Sequence, residues 1–226
     1  MTDADDRPPR THGHYAERVN ELVERVTLRD GTQAWVGPLL HTDREDLARE
    51  YQTLSFASKR HRFLSAVREL TPGMLEHLVD EVDGVNHVAW VLFAEQDGGL
   101  VPAGIGRIVR YAEQPDTADV AVTVKDEWQG RGVATALMPV LAAHRPPGVT
   151  HLLTEIADDN PAPLKMLRRA GATRVHHAGA GVLDVEVDLA GQGPRHPPAQ
   201  DGQRLHPMLE TPSRQRLRTR DREAGV

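Results

Sequence analysis

The chain has 226 residues, of which 39% are hydrophobic and 27% charged, with no cysteine. That content supports one folded domain with appendages, or two small ones, and it excludes disulfides, thiolate metal sites, iron–sulfur clusters and a cysteine nucleophile. The formal charge is −6, yet residues 190–226 set seven arginines against four carboxylates, so the body is acidic, suited to cationic partners such as amines and ill suited to nucleic acid.

The opening MTDADDRPPR carries no basic-plus-apolar leader, and the longest apolar run, Val88 to Ala94, is far short of the roughly 18–20 residues that cross a bilayer. A cytoplasmic protein without a membrane partner is expected. Residues 1–22 read as a flexible segment, residues 23–189 as the folded domain, and residues 190–226 as a disordered, basic tail rich in Pro and Arg.

In chain order, Val26 to Val36 holds an Asp30-Gly31 pair between extended stretches, a hairpin signal. Thr42 and Glu45 form the capping pattern for a helix over DREDLAREYQTL. A short helix is expected over Ser58 to Leu64, and a third from Thr71-Pro72 to about Val82. Three extended runs follow at His87–Glu95, Val101–Tyr111 and Thr117–Val124, joined by Asp97-Gly98-Gly99 and Gln114-Pro115-Asp116. Beyond them the pattern alternates: a helix over Val133–His144, a strand over Val149–Ile156, a helix over Asn160–Ala170, and paired strands at Ala172–His177 and Val182–Val187. An antiparallel meander that runs into strand–helix–strand–helix–strand predicts a mixed α/β sheet with at least one parallel crossover. Pro139 should kink its helix near Thr135. Gly104 and Gly106, inside a strand, mark a bulge or a close backbone approach.

The chemistry concentrates in DVAVTVKDEWQGRGVA, residues 119–134. A strand ends near Val124, and Gln129-Gly130-Arg131-Gly132 leads directly into a helix. The glycines admit close backbone approach, the first helical N–H groups have no internal acceptor, and the helix dipole makes that end positive. Together they suit a pyrophosphate, with Arg131 able to reach a further phosphate. A Walker A loop would need Lys-Ser/Thr where Val133-Ala134 stands, and the dinucleotide fingerprint would need a glycine or alanine where Thr135 stands. A glycine pair before a helix can also be no more than a tight turn.

Gln129, Gly132 and Ala134 fall at the positions of the Gln/Arg-x-x-Gly-x-Gly/Ala loop, and Asn160 precedes Gly171 across one helix. On these two motifs, residues 101–177 resemble the GCN5-related N-acetyltransferase (GNAT) superfamily. Leu54-Ser55, Arg62-Phe63-Leu64, His87-Val88-Ala89, Asp119 and Thr123-Val124 extend the likeness to its bacterial protein-lysine acetyltransferase branch. The resemblance implies a GNAT fold over 23–189: a mixed, mostly antiparallel twisted sheet with a splayed parallel strand pair and helices on both faces. It also implies acetyl-CoA as co-substrate and an amine acceptor, on a protein lysine or a small molecule; no metal is expected, because the adjacent His176 and His177 face opposite ways on a strand and His144 and His151 have no carboxylate pair nearby.

The site residues carried over by this resemblance are Asp119 as a water-linked general base, where the branch has glutamate, and the Val122 backbone N–H as oxyanion donor. Val122, Thr123, Val124, Gln129, Gly130, Arg131, Gly132, Val133, Ala134, Thr135 and Asn160 would hold the coenzyme. Glu155 on the facing strand is the alternative base. The tyrosine that many relatives place seven residues after the motif Asn is here Leu167, and Tyr15, Tyr51 and Tyr111 lie in other segments. Arg60, Arg62 and Phe63 belong to the segment that forms the acceptor wall in the family. Trp35, Trp90 and Trp128 read as packing residues, with contact to the coenzyme loop open for Trp128. Beside the transferase stands a second reading, a catalytically silent module that binds acyl-CoA as a sensor or docking domain.

Overall fold

Eight strands form one sheet in the order β1-β2-β3-β4-β5-β6-β8-β7. The computed structural model describes residues 24–193; the expected flexible segment 1–22 and nearly all of the expected tail lie outside them. The strands are β1 Glu24–Thr27, β2 Gln33–Pro38, β3 His87–Gln96, β4 Gly99–Arg110, β5 Thr117–Val124, β6 His151–Ala157, β7 Ala172–Gly179 and β8 Val182–Asp188. Every neighbouring pair is antiparallel except β5 and β6. Among the described residues no helix is long and apolar enough to cross a membrane.

Period-two alternation divides the core between the two faces. Val88, Trp90, Leu92, Ile108 and Val120 point to one face and pack with Leu137, Leu141 and Leu167, which lie on α4 (Val133–Ala143) and α5 (Pro161–Ala170). Ala89, Val91 and Phe93 point to the other and meet Tyr51, Phe63, Met74 and Leu78, carried by α1 (Arg44–Thr53), α2 (Phe56–Phe63), α3 (Pro72–Leu75) and the π-helical turn Glu76–Asp80 after α3.

Local differences from the sequence reading have local causes. Asp43, not Thr42, closes the turn ahead of α1, accepting from the Leu40 N–H at 2.8 Å. α2 starts two residues early because the Ser55 hydroxyl accepts from the Ser58 N–H. Thr71 caps α3 as expected. α4 continues through Pro139 to Ala143. After β8 the Asp188 carboxylate accepts from the Ala190 N–H and the Gly193 N–H at 2.9 and 2.7 Å.

Gly104 and Gly106 serve close approach. A Cβ on Gly104 would stand 2.8 Å from Val133 Cγ1 and 2.9 Å from the Thr123 carbonyl oxygen, and one on Gly106 would stand 2.4 Å from Leu141 Cδ1. A β-bulge beside Gly104 breaks the β3–β4 register between Leu92 and Phe93. α4 therefore lies directly on the backbone of β4, which fixes where its N-terminus emerges. Gly104→Ala forces apart β4, β5 and the first turn of α4, so it should lower unfolding stability in urea by about 1–3 kcal/mol, the usual cost of overpacking.

Candidate active site

β5 and β6 pair only at Thr117 with His151 and Ala118 with Leu152. Beyond that they diverge, and the Thr154 hydroxyl of β6 donates to the Val120 carbonyl across the widening gap at 2.9 Å. A strand residue's N–H and C=O share one edge, and that edge repeats every second residue. The backbone groups of Val122 and Val124 therefore face β6, where β6 is no longer within pairing distance. A cavity of about 590 Å³ opens there.

The residues expected at the site meet in this cavity. Asp119, Val122, Thr123 and Val124 line it from β5, Gln129, Gly130, Gly132, Val133, Ala134 and Thr135 from the loop and first turn of α4, and Asn160 from the cap of α5. Glu155 and Leu167 also line it. Arg131 does not. Its guanidinium pairs with Asp30, bonds the Thr32 hydroxyl at 2.9 Å and lies 4.0 Å over the Trp128 ring. The charge expected to reach a phosphate instead ties the loop to the β1–β2 hairpin, a link that sequence spacing could not reveal because the partners are some hundred residues apart. The Arg29 N–H reinforces it, donating to the Arg131 carbonyl at 2.9 Å.

The loop's shape requires its glycines. Gly130 has φ 75° and Gly132, the N-cap of α4, φ 103°, both in the left-handed region that a side chain disfavours. A Cβ on Gly132 would also press on Arg29 at 3.0 Å. The first helical hydrogen bond runs from the Ala136 N–H to the Gly132 carbonyl, so the N–H groups of Val133, Ala134 and Thr135 have no acceptor within the helix. Three N–H groups at the positive end of a helix, bordering the cavity, suit an anion.

Asp126 fastens this loop to α2. Its carboxylate accepts from the Ser55 N–H and hydroxyl at 2.7 Å each, from the Ser58 hydroxyl at 2.8 Å and from Gln129 Nε2 at 3.4 Å. Burial alone would raise its pKa, but donation from Ser55 and Ser58 prevails and holds it below the ordinary carboxylate value. Gln129 Nε2 also donates to Ser58 Oγ at 3.0 Å and to the Val124 carbonyl at 3.3 Å, so its side chain closes the loop. Trp128 is buried in the core and borders the cavity, so packing and contact with the loop coincide. Asn160 Oδ1 accepts from the Ala162 N–H and caps α5.

Three cations at the cavity wall escaped the sequence reading: Arg29, Lys165 and Arg169. Lys165 and Arg169 stand four apart on α5, so they share one helical face, and Arg169 reaches across to the Thr135 hydroxyl at 3.3 Å. That spacing on the helix opened by Asn160 was a visible signal. Arg29, from the hairpin turn, gave none.

On the face of α1–α3, Asp119 is buried and its charge acts on the guanidiniums of Arg62 and Arg107. Burial, then the charge of Arg62, pushes the Arg107 pKa down to about 9. Tyr111 lies nearby, its hydroxyl donating to the Leu153 carbonyl at 3.0 Å. Burial, then the charges of Asp119, Glu155 and Asp184, raises its pKa well above the ordinary value. Tyr51 donates to the Val67 carbonyl at 2.8 Å. No tyrosine among the described residues lines the cavity.

The family model described as the acetyltransferase (GNAT) family matches residues 44–172. Acetyltransferase Pat of Mycolicibacterium smegmatis is 34% identical over 166 residues, which cover 73% of this chain and 48% of that protein. Acetyltransferase PA5475 of Pseudomonas aeruginosa is 34% identical over 112 residues, 50% of this chain and 59% of its own length. The chain thus spans about half the length of the curated relatives it matches. Among solved structures, the GNAT domain of S. lividans PAT superposes with a TM-score of 0.63 at 32% identity, over 74% of this chain and 96% of that domain.

The loop's carboxylate anchors give it an acid limit. Donation from the Thr32 N–H and then from Arg131 lowers the Asp30 pKa to about 2, and that of Asp126 is also depressed. Both add stability that is complete above the unfolded value of about 4 and lost as pH falls through the folded values. The urea midpoint should fall between about pH 5 and pH 2, and less steeply in Asp126→Asn than in the unmodified protein.

Proposed function

We propose that this chain, which belongs to the GNAT acetyltransferase family, moves an acetyl group from acetyl-CoA to a primary amine. The observation that carries this reading is the parting of β5 from β6 beside the glycine loop. An extended thioester substrate fits with its diphosphate on the N–H groups of Val133, Ala134 and Thr135, and its carbonyl at the Val122 N–H. Arg29, Lys165 and Arg169 supply the positive wall that the phosphates require.

The reaction is direct transfer. The amine nitrogen attacks the thioester carbon, the developing oxyanion takes the Val122 N–H, and CoA leaves as its thiolate. An ammonium of pKa about 10.4 must first surrender a proton. Asp119, buried beside the cavity, receives it through a water, since its side chain is one methylene shorter than glutamate. Leu167 offers no proton to the leaving group, and a thiol of pKa about 8.5 departs tolerably as an anion at neutral pH. The acceptor carried by the family branch is a lysine on a protein, and the chain's formal charge of −6 favours a cationic acceptor.

The test is CoA release from acetyl-CoA with a lysine-rich protein, polyamines and amino acids as acceptors. Asp119→Asn should lower kcat by about 10²–10⁴-fold, the usual worth of a positioned base. Full activity in that variant with loss in Glu155→Gln would transfer the role to Glu155. Lys165→Ala and Arg169→Ala should raise the KM for acetyl-CoA with little change in kcat, because the phosphates are held alike in ground and transition states. Tight CoA binding without release to any acceptor would identify a silent acyl-CoA-binding module instead.

A further inference from the structure

A second chamber adjoins the cleft, on the face of α1–α3. It measures about 80 Å³, several times the space one water needs. Its walls are largely apolar, from Leu54, Phe63, Ile105 and Ala121 among others. Phe63, Ala121, Thr123 and Arg62 line both this chamber and the larger cavity, so the two adjoin along β5.

One polar group here lacks a counterpart. Arg62 Nη2 is buried and has no hydrogen-bond partner among the described residues. A buried guanidinium donor left unmade is costly, so Nη2 is available to an acceptor atom of a ligand in the chamber. The neighbouring charges strengthen the case. Asp119 acts on both the Arg62 and Arg107 guanidiniums, and the chamber's other carboxylates are engaged, Asp43 by the Leu40 N–H at 2.8 Å and Glu50 by Lys125 at 2.9 Å. Arg107 Nη1 is engaged by the Leu78 carbonyl at 3.0 Å and by His87 at 3.1 Å, whereas the Arg62 guanidinium lies 4.8 Å over the Phe63 ring and leaves Nη2 without a hydrogen bond. Burial, and for Arg107 also the charge of Arg62, lowers both arginine pKa values. An added anion would relieve both effects.

The position of the chamber says which part of a substrate would carry that anion. With the thioester carbonyl at the Val122 N–H, as proposed above, the side chains on either side, Ala121 and Thr123, turn toward the chamber. An acyl chain longer than acetyl would then extend toward this apolar wall, with Arg62 among the residues that border both spaces.

We infer that the site accepts four-carbon dicarboxylic acyl groups, of the succinyl type, with Arg62 holding the terminal carboxylate. The transfer balances as the acetyl reaction does: an N–C bond forms, the C–S bond breaks, CoA departs, and the amine's proton passes through the Asp119-linked water to solvent. On a lysine, the product exchanges a positive charge for a negative one.

This inference rests on the coenzyme placement above, and equilibrium binding separates the two. CoA, acetyl-CoA, butyryl-CoA and succinyl-CoA are titrated calorimetrically into the full chain. Butyryl and succinyl tails match in length and differ in the carboxylate. Succinyl-CoA should bind at least about tenfold more tightly than butyryl-CoA, as a charged hydrogen bond in a buried site warrants. Arg62→Met should abolish that ratio and Arg62→Lys retain part of it. Equal affinity for the two tails, or a preference that survives Arg62→Met, overturns the inference while leaving the acetyl reading intact. Failure of CoA itself to bind overturns both.

Discussion

The site depends on two strands that stop pairing. A parallel pair interrupted after two residue couples leaves unpaired backbone N–H groups inside an otherwise continuous sheet, and unmatched groups of that kind are tolerated only where water or a ligand can satisfy them. Thr154 meets the first orphaned carbonyl, at Val120. At Val122 the edge is open, the Val124 carbonyl being taken by Gln129 Nε2 at 3.3 Å, and the proposed substrate would add to the sheet there much as a ninth strand would. Strand addition of this kind obtains its affinity from the main chain, so the side chains around it are left to set the chemistry.

A gap alone does not position a phosphate-bearing substrate; the loop beyond it must be held. The fastenings come from distant elements. Asp126 draws in the N-terminus of α2 through Ser55 and Ser58, and Arg131 joins the loop to the β1–β2 turn above Trp128. Gly104 and Gly106 then let α4 rest on β4 itself, which sets the direction of the helix whose first N–H groups border the cavity. The result is a loop suited to an anion, built of backbone and braced by side chains, in which the charge of Arg131 serves shape.

The two faces of β5 divide the work. Val120 belongs to the apolar core beneath α4 and α5, and the side chains of Val122 and Val124 pack against that core. Asp119, Ala121 and Thr123 turn the other way, toward Arg62, Arg107 and the small chamber under α1–α3. Alternation with period two thus sends neighbouring side chains of one short strand into two different surroundings.

Most of this was legible in the order of residues. Element types, the meander-to-crossover switch and the glycine loop follow from local patterns: period-two alternation in β3–β5, Thr71-Pro72 at a helix start, Asp97-Gly98 at a hairpin. These are decided by neighbours within a few positions. The convergence of Asp119, Val122, the loop and Asn160 on one cavity also followed, because both motifs belong to one strand–helix–strand–helix run. What the sequence could not decide were contacts between segments far apart in the chain. Arg131 stands in the motif, and nothing near it announces that Asp30 and Thr32 will claim its guanidinium. Arg29 enters the cavity wall only because the hairpin folds against the loop, and Arg62 becomes an orphan only where α2 crosses β5. Propensity and spacing act over a turn or two, whereas charge pairing and desolvation depend on which surfaces the whole sheet brings together, and that was fixed by tertiary structure alone.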